Sequence, residues 1–265
     1  LWSGLAYYTR ARNLHRCAQA IMERHGGRFP ATAGELEQLP GIGRSTAAAI
    51  AAFCWGERAA ILDGNVKRVL ARVLAFDGDL AQAAQERALW QRATDLLPED
   101  AADMPAYTQG LMDLGATVCL ARNPSCLLCP LEPVCAARRE QAPGRYPVKS
   151  RKLRRTAHSI WLLRAQDAGG AVWLEKRPMQ GVWAGLYCLP AFDSREALAQ
   201  VLPGRVPLHD EPAFLHVLTH KDLHLHPVVA TVRRDQVGRE QGGWFEADRW
   251  AALGLPAPVR KLLAV

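Results

Sequence analysis

Apolar and polar positions follow two different rhythms along this chain. Up to about residue 140 the apolar residues recur at helical spacing. From about Ala157 they alternate or cluster in short runs, as in strands. The first segment, LWSGLAYYTRARNLHRCAQAIMERHGG, places Leu5, Ile21 and Met22 among basic residues, and Gly26–Gly27 stops it, so a helix is expected over about residues 1–25. Thr32 to Glu35 fits a capping box and a short helix. Leu39–Ile50, LPGIGRSTAAAI, predicts a glycine turn followed by a helix from roughly Arg44 to Phe53. Asp63 opens the next helix, expected to continue to about Leu97, where Pro98 and an acidic loop break it. A further helix, from about Tyr107 to Leu120, reads as scaffold.

In the second regime, HSIWLLRA and AVWLEKRP predict two strands around a turn at Asp167–Gly170. VWAGLYCLPAF is a third apolar segment, SREALAQVL a helix, and FLHVLTHKDLHLHPVVATV strands again. GGWFEADRWAALGLPAPVRKLLAV reads as a strand followed by short helices. An α+β domain of about 110 residues is expected. Between the regimes, residues 141–156 hold two prolines, one glycine and six Lys/Arg, the composition of an interdomain linker, with DNA contact a secondary expectation. The chain is therefore expected to be multidomain: an all-α domain over 1–140, the linker over 141–156, and an α+β domain over 157–265.

Composition narrows the function. The 265 residues suffice for two ordinary cores, and a charge of +7 with pI near 9.2 suits a polyanionic partner. No apolar run is long enough to span a membrane, and no secretory leader is visible, so a cytoplasmic protein is expected. The chain opens on Leu1, without a methionine, inside a helical pattern, which is the expectation for a fragment of a longer protein.

Two stretches carry chemistry. Gly41 and Gly43, one residue apart before a helix, permit a tight turn whose following N–H groups bind anions such as phosphate. Asp63 begins the next helix, with Asn65 and Lys67 behind it; an aspartate there is by itself an ordinary N-cap. Cys119, Cys126, Cys129 and Cys135 lie within 17 residues at C-x6-C-x2-C-x5-C spacing, which reads as metal ligation rather than disulfides, and four thiolates satisfy a tetrahedral zinc as well as an iron–sulfur cluster. Cys17, Cys54 and Cys188 are isolated and expected to be buried.

LPGIG and LDGNVKRV, with Gly43 and Asp63 20 positions apart, resemble the helix-hairpin-helix DNA glycosylases. The cysteine spacing resembles the [4Fe–4S] loop of endonuclease III and MutY-type enzymes, over residues 119–135 here, and the order of the C-terminal segments resembles their Nudix-like domain. Residues 157–265 offer only Glu196 on the local helix, too few carboxylates for Nudix pyrophosphate hydrolysis. GLAYYTRARN resembles the segment whose first tyrosine, Tyr7 here, enters the duplex near the lesion. LHVLTHKDLHLH resembles the Phe-Ser-His loop that touches 8-oxoguanine, with Leu218, Thr219 and His220 in those places and the phenyl ring lost. His216, His220, His224 and His226 read as ordinary strand histidines, with a metal site the minor alternative.

The chain is accordingly identified as a member of the MutY-type adenine DNA glycosylases, a resemblance covering almost its whole length. The resemblance implies a monomeric base-excision-repair enzyme acting on double-stranded DNA with A:8-oxoguanine or A:G mispairs. It flips adenine out and hydrolyses its N-glycosidic bond through an oxocarbenium-like sugar. Asp63 is implied as the sugar-facing carboxylate and Asn65 as its helper. Leu39, Gly41, Gly43, Arg44, Ser45 and Lys67 are implied as DNA contacts, and the cluster holds a loop near basic Arg122, Arg138 and Arg139. Ser45 stands where bifunctional relatives carry a Schiff-base lysine, so base removal without efficient strand cleavage is expected, with Lys67 keeping weak lyase activity in view. The family's proton-donating glutamate lies upstream of the segment matching Leu1, and none of Glu23, Glu35 or Glu37 has a matching context. The chain is thus expected to be impaired in isolation, and a non-catalytic lesion-binding module or an endonuclease III-like enzyme stands as the alternative.

Overall fold

The computed structural model describes residues 8–150, 155–204, 206–237 and 242–264. It divides into a helical unit over residues 9–152 and a sheet unit from residue 153 onward. Among the described residues no helix is long and apolar enough to cross a membrane.

In the helical unit, α1 (Tyr8–His25) ends at Gly26 and Gly27, both with positive φ, as their sequence predicts. Thr32 caps α2 (Ala33–Leu36) through the Glu35 N–H. Only half of the expected capping box forms, because Glu35 Oε2 accepts the Thr32 hydroxyl at 2.8 Å in place of the Thr32 N–H; the N–H of Ala33, the next residue, goes to Glu57 Oε2 at 2.6 Å. α3 (Arg44–Trp55) buries Ala47, Ala48, Ala51 and Ala52, small residues that allow close helix approach, and ends at left-handed Gly56. α4 (Gly64–Val73) lays Val66, Val69 and Leu70 into a core with Ile61, Leu62, Leu89, Leu111 and Leu114. Fully burying each such side chain is worth about 1.5–3 kcal/mol.

The expected continuous helix from Asp63 to Leu97 is two helices. α4 stops at Val73, where Ala75 takes a positive φ of 44° and Phe76 N bonds back to Ala71 O at 2.8 Å. The Asp79 side chain then caps a turn at Ala81, and α5 (Ala83–Asp95) starts anew. α6 (Met104–Asp113) runs into a π-helical turn, Leu114–Val118, instead of continuing as α-helix to Leu120. After the cysteine loop, α7 (Ala136–Arg139) packs Ala137 against Ala71 and the buried ring of Tyr146.

Tyr146 gives the linker composition a different meaning as far as Ser150. Its hydroxyl donates to Glu140 Oε2 at 2.8 Å, Leu80 N donates to Val148 O at 3.0 Å, and Ser150 Oγ donates to Asp79 Oδ2 at 2.5 Å. An aromatic ring among the basic residues is enough to dock this stretch on the helical core.

The sheet unit is built on β1 (Thr156–Gln166) and β2 (Val172–Lys176), an antiparallel pair whose turn is tied by Asp167 Oδ1 to the N–H groups of Gly169 and Ala171, each at 2.9 Å. Two-residue strands β3 (Tyr187–Cys188) and β4 (Ala191–Phe192) precede α8 (Arg195–Ala199). Then come β5 (His209–Asp210), β6 (Phe214–Val217), β7 (Lys221–Thr231), β8 (Gly242–Phe245) and α9 (Ala257–Leu263). β7 runs parallel to β1 from Thr156↔Lys221 to Gln166↔Thr231, and β6 returns antiparallel along β7, so the sheet is mixed. Alternation divides the core: Leu162, Leu174, Leu223 and Leu225 face α9, while Leu163, Trp173, Val228 and Ala230 face Phe192 and α8.

Candidate functional site

The hairpin sets the geometry at the start of α3. Gly41 has φ of +82°, and a Cβ there would lie 2.5 Å from Asn13 Cβ, so glycine is required twice over. Gly43 is the N-cap of α3 and offers no side-chain cap, so it leaves the first-turn N–H groups uncapped, and a Cβ on it would meet nothing within 4 Å. Leu39 is buried with Cys17, Ala20, Ile21 and Leu36, so its side chain is core and only its main chain lines the turn. The Arg44 guanidinium stacks over Trp90 at 4.0 Å. Ser45 Oγ accepts from Leu62 N at 3.0 Å, which ties the hairpin helix to the segment leading into Asp63.

Asp63 is the N-cap of α4. Its Oδ1 accepts from Asn65 N at 2.6 Å and Val66 N at 3.2 Å. Among the described residues Oδ2 makes no hydrogen bond, so one carboxylate oxygen is locked to the helix and the other is free to face a ligand. Asn65 is exposed, and its Oδ1 accepts from Arg68 Nη2 at 2.9 Å. Lys67 forms an ion pair with Glu86 of α5, so its ammonium is held rather than free.

α4 connects this carboxylate to the cysteine loop. Arg68 donates to Cys119 O at 2.7 Å and Gly115 O at 2.6 Å. One turn on, Arg72 is only 3% exposed and donates to Leu120 O at 2.7 Å, Pro143 O at 2.8 Å and Cys119 Sγ at 3.3 Å. The π-helical turn presses on α4 from the same side: a Cβ at Gly115 would lie 2.8 Å from Asn65 Cβ. Sequence reading missed Arg68 and Arg72. The available signal was Arg72 itself, which follows Val69 by three residues on the apolar stripe, where a charge must find partners.

Cys119, Cys126, Cys129 and Cys135 all line one small pocket, walled by Val69, Arg72 and Leu114. The Cys129 thiol is pushed up, first by burial and further by the neighbouring Cys119, Cys135 and Cys126. Of the remaining cysteines, Cys17 and Cys188 are buried, and burial raises both, Cys188 to about 12. Cys54 is exposed, against expectation, because it lies on the outer face of the last turn of α3.

In the sheet unit, Leu218, Thr219 and His220 form the turn between β6 and β7, with Thr219 and His220 exposed. Two of the other strand histidines have aromatic partners. His226 stacks on Trp161 at 4.4 Å, and His216 packs against Trp183 and is lowered by burial. Among the described residues no three His, Cys, Asp or Glu side chains converge to hold a single metal ion. Tyr7 lies outside the described residues.

Comparison with known proteins agrees with this layout. A helix-hairpin-helix motif matches residues 24–53 and a NUDIX domain matches residues 160–265. The chain is 34% identical to the adenine DNA glycosylase of Buchnera aphidicola from Acyrthosiphon pisum, covering 99% of this chain and 76% of that protein. Its counterpart from Schizaphis graminum is 32% identical over 100% of this chain and 78% of its own length. The adenine DNA glycosylase of Homo sapiens is 45% identical over 52% of this chain and 25% of that protein. With hairpin, capping aspartate, cysteine loop and NUDIX sheet in one order, and with 34% identity over 99% of its residues, this chain belongs to the adenine DNA glycosylase family.

Proposed function

We propose that this chain, an adenine DNA glycosylase of base excision repair, removes adenine mispaired with 8-oxoguanine or guanine in double-stranded DNA, without efficient strand cleavage. The observation that carries this reading is the state of Asp63. Its Oδ1 is fixed by two N–H groups of its own helix, and Oδ2 is left for the sugar. A carboxylate oriented in this way stabilises the positive charge that develops as the N-glycosidic bond lengthens, and no reorganisation is needed at the moment of reaction. Asn65, held by Arg68, stands beside it to orient water or main chain. Proton delivery to the leaving base is assigned to none of the described residues.

The backbone N–H groups after Gly43 hold a phosphate of the extruded strand, and Gly41 allows the close approach. Ser45 bonds to Leu62 N and has no amine, so no Schiff base forms there. Lys67, paired with Glu86, is a weak substitute. The NUDIX unit reads the opposite base, with the Thr219 hydroxyl and the His220 imidazole at an exposed turn.

The cysteine loop fits a [4Fe–4S] cluster. A single tetrahedral zinc would need sulfurs about 3.8 Å apart, given Zn–S bonds of about 2.3 Å. The four cysteines share one pocket, yet among the described residues no three of them converge on a single ion position, which supports a larger multi-iron core; it would fix the loop and leave no open ligand position for hydrolysis. Arg68 and Arg72 hold that loop to the helix that begins at Asp63.

Product analysis tests the reading. On an A:8-oxoguanine duplex the chain releases free adenine and leaves an abasic site that breaks only after alkali. Strand breaks appearing without alkali at the rate of base loss would reject the monofunctional assignment. Slow release by this chain alone fits the lack of an assigned proton donor, whereas absence of adenine release also from a version extended to the length of its relatives would reject the enzyme reading.

A further inference from the structure

The turn Leu218–Lys221 is closed by Leu218 N donating to Lys221 O at 2.8 Å. A turn this tight aims its carbonyls outward, and each needs a donor from water or protein. The first residues of the sheet unit supply them. Arg155 Nη2 donates to Leu218 O at 2.9 Å and reaches Lys221 O at 3.5 Å, and Nη1 donates to Thr219 O at 3.2 Å. Thr156 N completes the set by donating to His220 O at 3.2 Å. Asp222, just past the turn, pairs with the same guanidinium, and that hydrogen bond is the main reason its carboxyl lies below the usual range. The main chain of the turn is held at every carbonyl, yet the side chains of Thr219 and His220 are exposed.

We propose that Arg155 is a positioning residue for discrimination of the base opposite adenine: its planar fork holds the Leu218–His220 main chain in one geometry, so that Thr219 and His220 meet the base already ordered. This rests on the reading of that turn as the 8-oxoguanine contact. Ordering such a turn in advance removes an entropic cost from recognition. Arg155 also belongs to the basic stretch whose composition points to phosphate, and the two roles differ in consequence. A phosphate contact weakens binding to all duplexes alike when it is lost. A positioning group changes the ratio between duplexes. Lysine is no substitute, because a single ammonium lacks the flat fork that serves several carbonyls in one plane.

The test measures single-turnover adenine release from A:8-oxoguanine and A:G duplexes, together with affinity for an undamaged duplex. The proteins are the wild-type chain, Arg155→Ala, Arg155→Lys, Asp222→Asn and, as references, Thr219→Val and His220→Ala. Both Arg155 variants are expected to lower the 8-oxoguanine-to-guanine rate ratio about three- to tenfold, the size of one or two lost ordering contributions. Asp222→Asn lowers it less, because the carbonyl bonds persist. If Arg155→Ala fails to fold, Arg155→Lys and Asp222→Asn carry the test. An unchanged ratio with uniformly weaker binding, or a ratio restored by lysine, overturns the proposal. If Thr219→Val and His220→Ala reduce the ratio while the Arg155 variants do not, only the positioning role fails. If none of them alters the ratio, the reading of the turn fails with it.

Discussion

Two arginines, one in each unit, solve the same problem in opposite surroundings. Arg72 and Arg155 each hold irregular main chain by donating to several carbonyls, Arg72 to Leu120 and Ala121 in the cysteine loop and to Pro143 beyond it, Arg155 to Leu218 and Thr219. Arg72 is 3% exposed, whereas the Arg155 side chain is 39% exposed. In the helical unit the Arg72 guanidinium is itself out of water and depends on these carbonyls to satisfy its charge, so the arginine and its acceptors stand or fall together with the fold. At the β6–β7 turn, water replaces a lost donor at little cost to stability, and what goes is the single conformation. The difference teaches that one clasp anchors and the other tunes.

The comparison is sharpest where Arg72 is removed. Arg72→Met is expected to destabilise the chain by about 3–5 kcal/mol, since two or more charge-assisted hydrogen bonds of about 1.5–3 kcal/mol each disappear. Denaturant unfolding measures this, and the visible absorbance of bound iron is expected to fall with it. Arg155→Ala, unfolded in parallel, is expected to lie within about 0.5 kcal/mol of wild type. Equal losses in the two would break the distinction between anchoring and tuning.

Gly115→Ala probes the same side of the molecule more gently. The added methyl group meets Asn65 Cβ at 2.8 Å and Asn65 main chain at 3.2 Å. Overpacking of this kind costs about 1–3 kcal/mol. Because the first turn of α4 is what must give way, adenine release is expected to slow as well, which comparison of rate and unfolding midpoint on one preparation will show.

The smallest effect concerns the strap that docks residues 148–150. Asp79 is lowered to about 2, chiefly by the Ser150 hydroxyl and then by the N–H groups of Ala81 and Ser150. A carboxyl depressed in the folded state contributes stability that is fully present above its unfolded value near 3.9 and is lost as pH falls toward about 2. The protection of the Leu80 and Ser150 amides, taken relative to the unstructured exchange rate at each pH, is therefore expected to fall between about pH 4 and pH 2 in wild type. Asp79→Asn should show little further change over that range, and identical profiles would remove Asp79 from the tie.

Much of this was legible in the sequence because it is local. Gly41 and Gly43 before the alanine run, Asp63 as a cap, and the four cysteines each announce themselves by spacing. The strands on either side of Asp167–Gly170 follow from alternation. What escaped depends on contacts distant along the chain. The break after Val73 needs Ala75 in a left-handed conformation, which alanine does not advertise. Tyr146 docks part of a segment whose composition reads as solvated linker. Arg68 and Arg72 bond to carbonyls 47 to 74 residues away and Arg155 to carbonyls 63 to 66 away, and main-chain acceptors leave no mark on residue type.

Asp63→Asn gives the most direct test of the account, because asparagine caps a helix about as well as aspartate and removes only the charge. Single-turnover adenine release from an A:8-oxoguanine duplex would be measured for the chain and the variant, with thermal unfolding alongside. The account predicts a rate about 10²–10³-fold lower at an unchanged unfolding midpoint, the size expected for losing one preorganised electrostatic partner. Release at the wild-type rate would contradict it and leave Asp63 as nothing more than the cap of its helix.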